Sequence, residues 1–85
     1  MALYLISYDL MNHATFGQYE TLISELRKLG AQRVLLSEWL LRSNRASVDI
    51  CKFLMNFIHA NDRLLVSEIT TNWSSYKVLV DINQM

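Results

Sequence analysis

The chain has 85 residues, 52% of them hydrophobic and 11% aromatic, with no proline. Eight basic and eight acidic residues give a formal net charge of zero, whereas proteins that grip duplex nucleic acid usually carry a positive excess. A single cysteine excludes an internal disulfide framework, and no stretch approaches the ~18 apolar residues that would span a membrane.

The length predicts one domain, residues 1–85. This composition holds more apolar material than one small domain readily buries, which favours a homodimer whose interface resembles a divided core over the alternative of a monomer with an unusually apolar surface. The apolar start lacks the basic leader and cleavage site of a signal peptide, which predicts a cytoplasmic protein.

The first predicted strand, residues 3–8, is apolar on both of its alternating faces. A strand of this kind is central in its sheet, or is covered on its second face by a partner. It ends in Asp9, whose carboxylate requires solvent, hydrogen bonds or a cation. Asp9 therefore has two interpretations, a cap of the turn over residues 10–13 or a ligand of a cation.

A first helix is predicted after this turn, because Thr15 and Gln18 have the spacing of a capping box. Apolar residues then recur at steps of three and four, which places them on one buried stripe: Phe16, Tyr19, Leu22, Ile23, Leu26 and Leu29. Arg27 and Lys28 suit the last turn of the helix, and Gly30 predicts its end.

Residues 32–43 predict one long strand or a bent pair of strands, with a turn at residues 44–46. Ser47 is the predicted N-cap of a second helix, with Asp49 in its first turn. This helix is predicted to end near residues 59–61, with Asn61 left-handed. Its predicted buried face comprises Val48, Cys51, Leu54, Met55 and Ile58.

Residues 63–69 predict a strand, residues 70–75 a loop and residues 77–82 a short final strand. The order predicts an α+β fold: a ferredoxin-like β-α-β-β-α-β sandwich with an additional C-terminal strand and two helices on one face of an antiparallel sheet. The other face, where Trp39 is expected, would be bare. A second copy stacked on it would bury the apolar surplus, and the final strand would add to the partner's sheet edge.

Three short motifs resemble the small ferredoxin-like CRISPR-associated proteins, the second universal adaptation protein, which partners the integrase. They are Leu3-Tyr-Leu-Ile-Ser-Tyr-Asp9, Arg33-Val-Leu-Leu-Ser-Glu-Trp39 and Asp62-Arg-Leu-Leu-Val66, so the likeness covers residues 3–69. The VapD-like toxins share the fold and a similar start, and the resemblance leaves both branches open.

The resemblance implies a homodimer in which two copies of Asp9 face each other and hold one Mg²⁺, an ion commonly bound by one or two carboxylates. It also implies either a metal-dependent endonuclease or a non-catalytic bridge on duplex DNA. One departure is that residues 10–16 contain no Arg or Lys, where relatives carry basic residues.

Other candidate residues have both functional and ordinary interpretations. Arg33, Arg42 and Arg45 suit phosphate binding to DNA or RNA, or are solvated surface charge. His13 is a second metal ligand or a solvated residue, and His59 complements the dipole of the second helix. Three hypotheses follow: a CRISPR-adaptation-type protein with Asp9 as metal ligand and catalytic residue, a toxin-like ribonuclease, or a non-enzymatic dimeric interaction module.

Overall fold

The computed structural model describes residues 1–11, 19–70 and 73–80. Two helices and four strands occur in these ranges, and a short 3₁₀ turn, Met55–Phe57, continues the second helix. In chain order the elements are β1 (Ala2–Asp9), α1 (Glu20–Lys28), β2 (Gln32–Leu35), β3 (Glu38–Ser43), α2 (Ser47–Leu54) and β4 (Arg63–Ile69). No helix in the described ranges has the length and apolar character needed to cross a membrane.

The four strands form one open antiparallel sheet in the order β2-β3-β1-β4. β1 is central, with β3 paired from Ala2↔Ser43 to Ser7↔Glu38 and β4 paired from Leu3↔Ile69 to Asp9↔Arg63. The α+β class is confirmed, and the strand order is compatible with a small ferredoxin-like fold.

The larger core lies between the sheet and both helices. Tyr4, Ile6 and Tyr8 of β1 point into it, as their alternation predicts. They meet side chains of α1, β3 and α2, namely Leu22, Leu26, Trp39, Leu41, Ile50 and Leu54. Trp39 is only 1% exposed there, and its indole N–H donates to the Tyr8 hydroxyl at 2.9 Å. The expectation that Trp39 lies on the bare face is therefore wrong.

The second face of the sheet is partly covered by the chain itself. Leu3, Val34 and Leu40 form a smaller core there, against which Val78 and Val80 pack. The Leu79 N–H donates to the Val34 carbonyl at 2.8 Å. Residues 77–80 are not a strand, and residues 81–82 lie outside the described ranges, so the additional C-terminal strand is not confirmed.

The C-terminus of α1 follows the sequence prediction. Arg27 and Lys28 occupy its last turn, and Gly30 has a positive φ of 90°. The Gly30 N–H donates to the Arg27 carbonyl and the Ala31 N–H to the Leu26 carbonyl, both at 3.0 Å. This pair of bonds is a Schellman motif, which satisfies carbonyls at the helix end. The predicted capping box at Thr15 and Gln18 lies outside the described residues.

Residues 32–43 form the bent pair of strands, joined at Leu36 and Ser37. Two-residue hairpins usually need positive φ values to match the strand twist. Lys77 is the one non-glycine residue with positive φ in the part of the chain described, so this turn lacks that geometry. The pairing of β2 with β3 shifts between Arg33 and Leu35, and this irregularity accommodates the different twist.

The second helix differs from its prediction at both ends and in its buried face. Ala46, not Ser47, is the N-cap, and the α-helix ends at Leu54. Asp49 does lie in the first turn. Asn61 is not left-handed, since Lys77 alone among the described non-glycine residues has a positive φ. The buried residues are Ile50 and Leu54, whereas Val48 and Met55 are 55% and 57% exposed.

The corrected buried face of α2 predicts unequal effects of two alanine substitutions. Ile50→Ala should lower the free energy of unfolding by about 2–5 kcal/mol, because it removes a buried branched side chain and leaves a cavity. Val48→Ala should change it by less than about 0.5 kcal/mol, as for other exposed positions. Urea unfolding followed by circular dichroism measures both changes. Equal losses of unfolding free energy in the two variants would contradict the buried face seen in the structure and favour the one predicted from the sequence.

Candidate functional site

Asp9 lies at the exposed end of the central strand. Its side chain is 68% exposed, and Oδ2 lies 3.9 Å from Nη1 of Arg63, the residue opposite it in β4. Arg63 is itself 72% exposed, so this is a loose surface ion pair of the kind that contributes about 0–1 kcal/mol. Asp9 is therefore accessible to a ligand from outside.

The residue that holds the turn after β1 is Asp62. Its Oδ1 accepts a hydrogen bond from the Met11 N–H at 2.7 Å, and its Oδ2 accepts one from the His59 N–H at 2.8 Å. The Tyr19 hydroxyl lies 3.0 Å from Oδ1 and 2.9 Å from Oδ2. One carboxylate thus joins the segment after β1, the N-cap residue of α1 and the turn before β4. The sequence predicted that Asp9 would cap the turn after β1, but the Met11 N–H in this segment donates to Asp62 instead.

His59 belongs to the same cluster. Its ring meets the Tyr19 ring edge-on, with centroids 5.8 Å apart and an interplanar angle of 89°. It lies beyond the 3₁₀ turn that follows α2, so it is not in the last helical turn as predicted. His13 lies outside the described residues.

The environment of Asp62 favours its charged form. Partial burial acts to raise the pKa of Asp62, but the hydrogen bonds from His59, Met11 and Tyr19 outweigh it, assisted by the charge of His59. The pKa of the Asp62 carboxyl therefore lies below its usual range. The carboxylate is a structural acceptor whose oxygens are already engaged.

Beside this cluster, the end of β1, the β2–β3 turn and the start of α1 enclose a cleft of about 560 Å³. Leu10, Ile23 and Leu36 provide apolar lining, and Asp9 and Arg33 also line it. The Arg33 Nε–H donates to the Leu36 carbonyl at 3.0 Å, and its guanidinium lies 5.2 Å from the centre of the Trp39 ring. Arg33 is thus tied to the hairpin that carries it.

Arg42 and Arg45 lie near the opposite end of the sheet. Arg42 is opposite Leu3, near the start of β1, and Arg45 lies in the turn between β3 and α2. The Tyr4 hydroxyl donates to the Arg45 carbonyl at 2.6 Å, and the Arg45 N–H donates to Ser43 Oγ at 3.0 Å. We call residues 42–46 the arginine turn.

The structure does not bring the three predicted arginines into one patch. Arg33 is opposite Trp39, about 10 Å along β3 from Arg42. Strand alternation places Arg42 on the other face of the sheet. Both guanidinium groups of the arginine turn lack an ion pair or side-chain hydrogen bond within the described residues, unlike Arg33 and Arg63.

The residues of one chain do not fit a Mg²⁺ site. No group of three or more His, Cys, Asp or Glu side chains in the described ranges could hold a metal ion. Asp62 is engaged by three donors, which leaves Asp9 as a single exposed carboxylate. Mg²⁺ retains several waters but still needs one or two carboxylates and usually a substrate phosphate, so a second copy would have to supply the rest.

No family model matches the sequence, and no solved structure matches the chain. The resemblance to the CRISPR-associated family therefore rests on the three short motifs alone.

Sequence reasoning missed Asp62 as the centre of a polar cluster. Its local signal was the three-residue spacing from His59, which is typical of Asp side chains that close turns. Its other partners, Tyr19 and Met11, are 43 and 51 residues away in the chain, and no local pattern connects them.

The lowered pKa of Asp62 predicts a pH-dependent contribution to stability. That contribution is complete above the ordinary Asp pKa of about 4 and is lost as the pH falls through the lowered value. Asp62→Asn should cost about 1–2 kcal/mol at neutral pH, because it removes a charged acceptor from backbone N–H groups. Its cost should shrink as the solution is acidified.

Urea unfolding at a series of pH values measures this dependence. Asp49→Asn is the control, since Asp49 is an exposed carboxylate of α2. A cost of Asp62→Asn that stays constant down to pH ~2 would contradict the charged role of Asp62.

Proposed function

We propose that this protein is a homodimeric, nucleic-acid-associated protein of the CRISPR-adaptation type, and that it acts as a structural bridge on a phosphate backbone. The observation that carries the proposal is the arginine turn. Arg42 and Arg45 are exposed and have no carboxylate partner in the described part of the chain.

The backbone of the arginine turn is held from the core. Tyr4 is 6% exposed, and its hydroxyl reaches the Arg45 carbonyl, so the turn is positioned before a ligand arrives. Guanidinium groups match phosphate oxygens through paired N–H donors, and a preformed site loses less conformational entropy on binding. With zero net charge on the chain, binding of this kind is weak and sensitive to salt.

Metal-dependent cleavage is the less supported part of the family resemblance. An endonuclease of the CRISPR or VapD-like type, with Mg²⁺ at Asp9, would depend on a second copy to complete the site, because the described residues of one chain contain no group of three or more His, Cys, Asp or Glu side chains that could hold the ion. A bridge needs only phosphate contacts. The integrase as protein partner and the cytoplasmic location remain parts of the proposal that the family resemblance implies.

A non-enzymatic interaction module is a second candidate, favoured by exposed apolar side chains. Leu36, Leu65 and Tyr76 are 78%, 58% and 81% exposed. Exposed apolar side chains mark protein-binding sites when they form one contiguous patch, which this candidate requires. This candidate predicts no nucleic-acid affinity, even at low salt.

The arginine turn predicts the salt dependence of duplex binding. Arg42→Ala with Arg45→Ala should weaken binding and reduce the slope of log K against log salt by about two, since each phosphate contact contributes about 0.9. Fluorescence anisotropy with labelled DNA and RNA duplexes, titrated at several salt concentrations, measures this slope.

The matched control is Arg27→Ala with Lys28→Ala, which removes the same charge from the exposed end of α1. Equal losses in both double variants would indicate a general charge effect, and no duplex binding by the native protein would favour the interaction module.

A bridge and a nuclease differ in their dependence on Asp9. We expect Asp9→Ala to leave duplex affinity within about twofold, because Asp9 and the arginine turn lie at opposite ends of the sheet and exposed substitutions have small effects. We also expect no Mg²⁺- or Mn²⁺-dependent cleavage that distinguishes the variant from the native protein. Cleavage of DNA or RNA by the native protein that is lost in Asp9→Ala would establish the nuclease instead.

A further inference from the structure

The two edges of the sheet are protected to different degrees. The β2 edge is only four residues long, has a register shift between Arg33 and Leu35, and receives a hydrogen bond from Leu79 at Val34. Short length, irregular pairing and coverage are the features by which proteins prevent strands from adding to an edge.

The β4 edge shows none of these features among the residues that the structure describes. It is seven residues long and pairs with β1 without a register shift. Within the described ranges no backbone group pairs with its outer side. Leu65, next to the midpoint of the strand, is 58% exposed. An edge of this length and regularity is a template for strand addition.

We propose that a second copy of the chain pairs antiparallel along β4, about a two-fold axis at Val66. This inference rests on the homodimer of the proposed function, and it replaces the arrangement with facing copies of Asp9 that the resemblance implies. Val66 is the midpoint of β4, so this register pairs the whole strand with itself. A two-fold axis normal to the sheet keeps the helices of both copies on one face and forms a continuous eight-stranded sheet.

The charges of β4 favour this occupant and this direction. Arg63 begins the strand and Glu68 is its last residue but one. In the antiparallel register Arg63 lies opposite Ile69 of the second copy, and Glu68 lies opposite its Leu64, so no like charges are opposed, whereas in-register parallel pairing would place Arg63 opposite Arg63 and Glu68 opposite Glu68. A formal net charge of zero adds no long-range repulsion between copies.

The same register covers the exposed leucine. Leu65 would lie opposite Ser67 of the second copy and diagonal to the second copy's Leu65 and Ile69, all on the second face of the sheet. Diagonal neighbours in antiparallel sheets lie about 7–8 Å apart, within reach of long side chains. The four apolar side chains would form a small cluster on the symmetry axis.

This dimer also separates the two Asp9 residues. Asp9 is opposite Arg63, and the two copies of Arg63 would be six residue steps apart along the new strand pair, about 20 Å. The two carboxylates could not share one ion. The proposed edge therefore fits a bridge and not a shared-metal nuclease.

The first test is the dimerisation of surface variants, measured by analytical ultracentrifugation. The native protein should dimerise, and Leu65→Lys should weaken the dimer about tenfold or more, because it places like charges near the axis. Val48→Lys is the control, at an exposed residue of α2 with similar exposure, and should change nothing. A monomeric native protein, or equal dimerisation of both variants, would overturn the proposal.

The second test distinguishes β4 self-pairing from addition of another segment to the same edge. In a Cys51→Ser background, chains with Leu65→Cys are mixed with chains carrying Ser67→Cys and oxidised gently. Directly opposed residues have Cβ atoms about 5 Å apart, close enough for a disulfide after slight adjustment, so the mixture should form a covalent dimer. Val48→Cys mixed with Ser67→Cys should not.

Loss of the dimer in Leu65→Lys without this disulfide would overturn the register and indicate that a different segment occupies the edge. Duplex binding of Leu65→Lys is measured in parallel, because its arginine turn is intact. A native dimer that cross-links but binds no duplex would refute the proposed function and leave the edge pairing standing.

Discussion

The arrangement of the chain depends on burying β1, because this strand is apolar on both faces. Ile6 is fully buried beneath the helices, and Leu3 is buried on the other side. Each amphipathic helix can cover only one face of a sheet, and both lie on the same one. The second face is covered in part by Val78 and Val80, in a segment that is not a strand.

Tyr4 and Tyr8 connect β1 to other parts of the chain through their hydroxyl groups. A buried hydroxyl requires a hydrogen-bond partner, and the two hydroxyls find theirs in different places. Tyr4 bonds the backbone of the arginine turn, and Tyr8 accepts from the Trp39 indole below the cleft. Asp62 then ties Met11, just beyond the strand, to the turn before β4. The central strand thereby positions both the acidic end and the arginine end of the molecule.

The fold was predictable where a local sequence pattern is compatible with only one structure. The β4 boundaries and the end of α1 at Gly30 follow from strand alternation and from a residue that tolerates positive φ. The face of α2 did not follow, because Val48, Ile50, Phe53 and Met55 make this helix apolar on more than one side. Trp39 was misplaced because the turn at Leu36 and Ser37 resets the alternation that an unbroken strand would have kept.

The candidate site was less predictable than the fold, because it depends on which charges find partners. Asp9 and the three arginines were visible in the sequence, but only the structure shows that Arg63 is paired with Asp9 and that Arg33 is tied to its own hairpin. Which arginines have a partner depends on how the strands pair and turn. The net charge of the sequence does not reveal this.

The two arginines of the arginine turn are too few for strong duplex binding, which explains why a dimer matters to the proposed bridge. Neutralising two phosphates gives a salt slope of only about −1.8, and a second copy would double it if both turns reached one duplex. Arg42 lies on the second face of the sheet, and a two-fold axis normal to the sheet at Val66 keeps both copies of Arg42 on that face.

In the proposed dimer, strand spacing and residue rise would place the two arginine turns about 30 Å apart, near the repeat of about 34 Å in a duplex. Edge pairing would therefore convert two weak contacts into one bivalent surface, with the Asp9 carboxylates far apart and outside it.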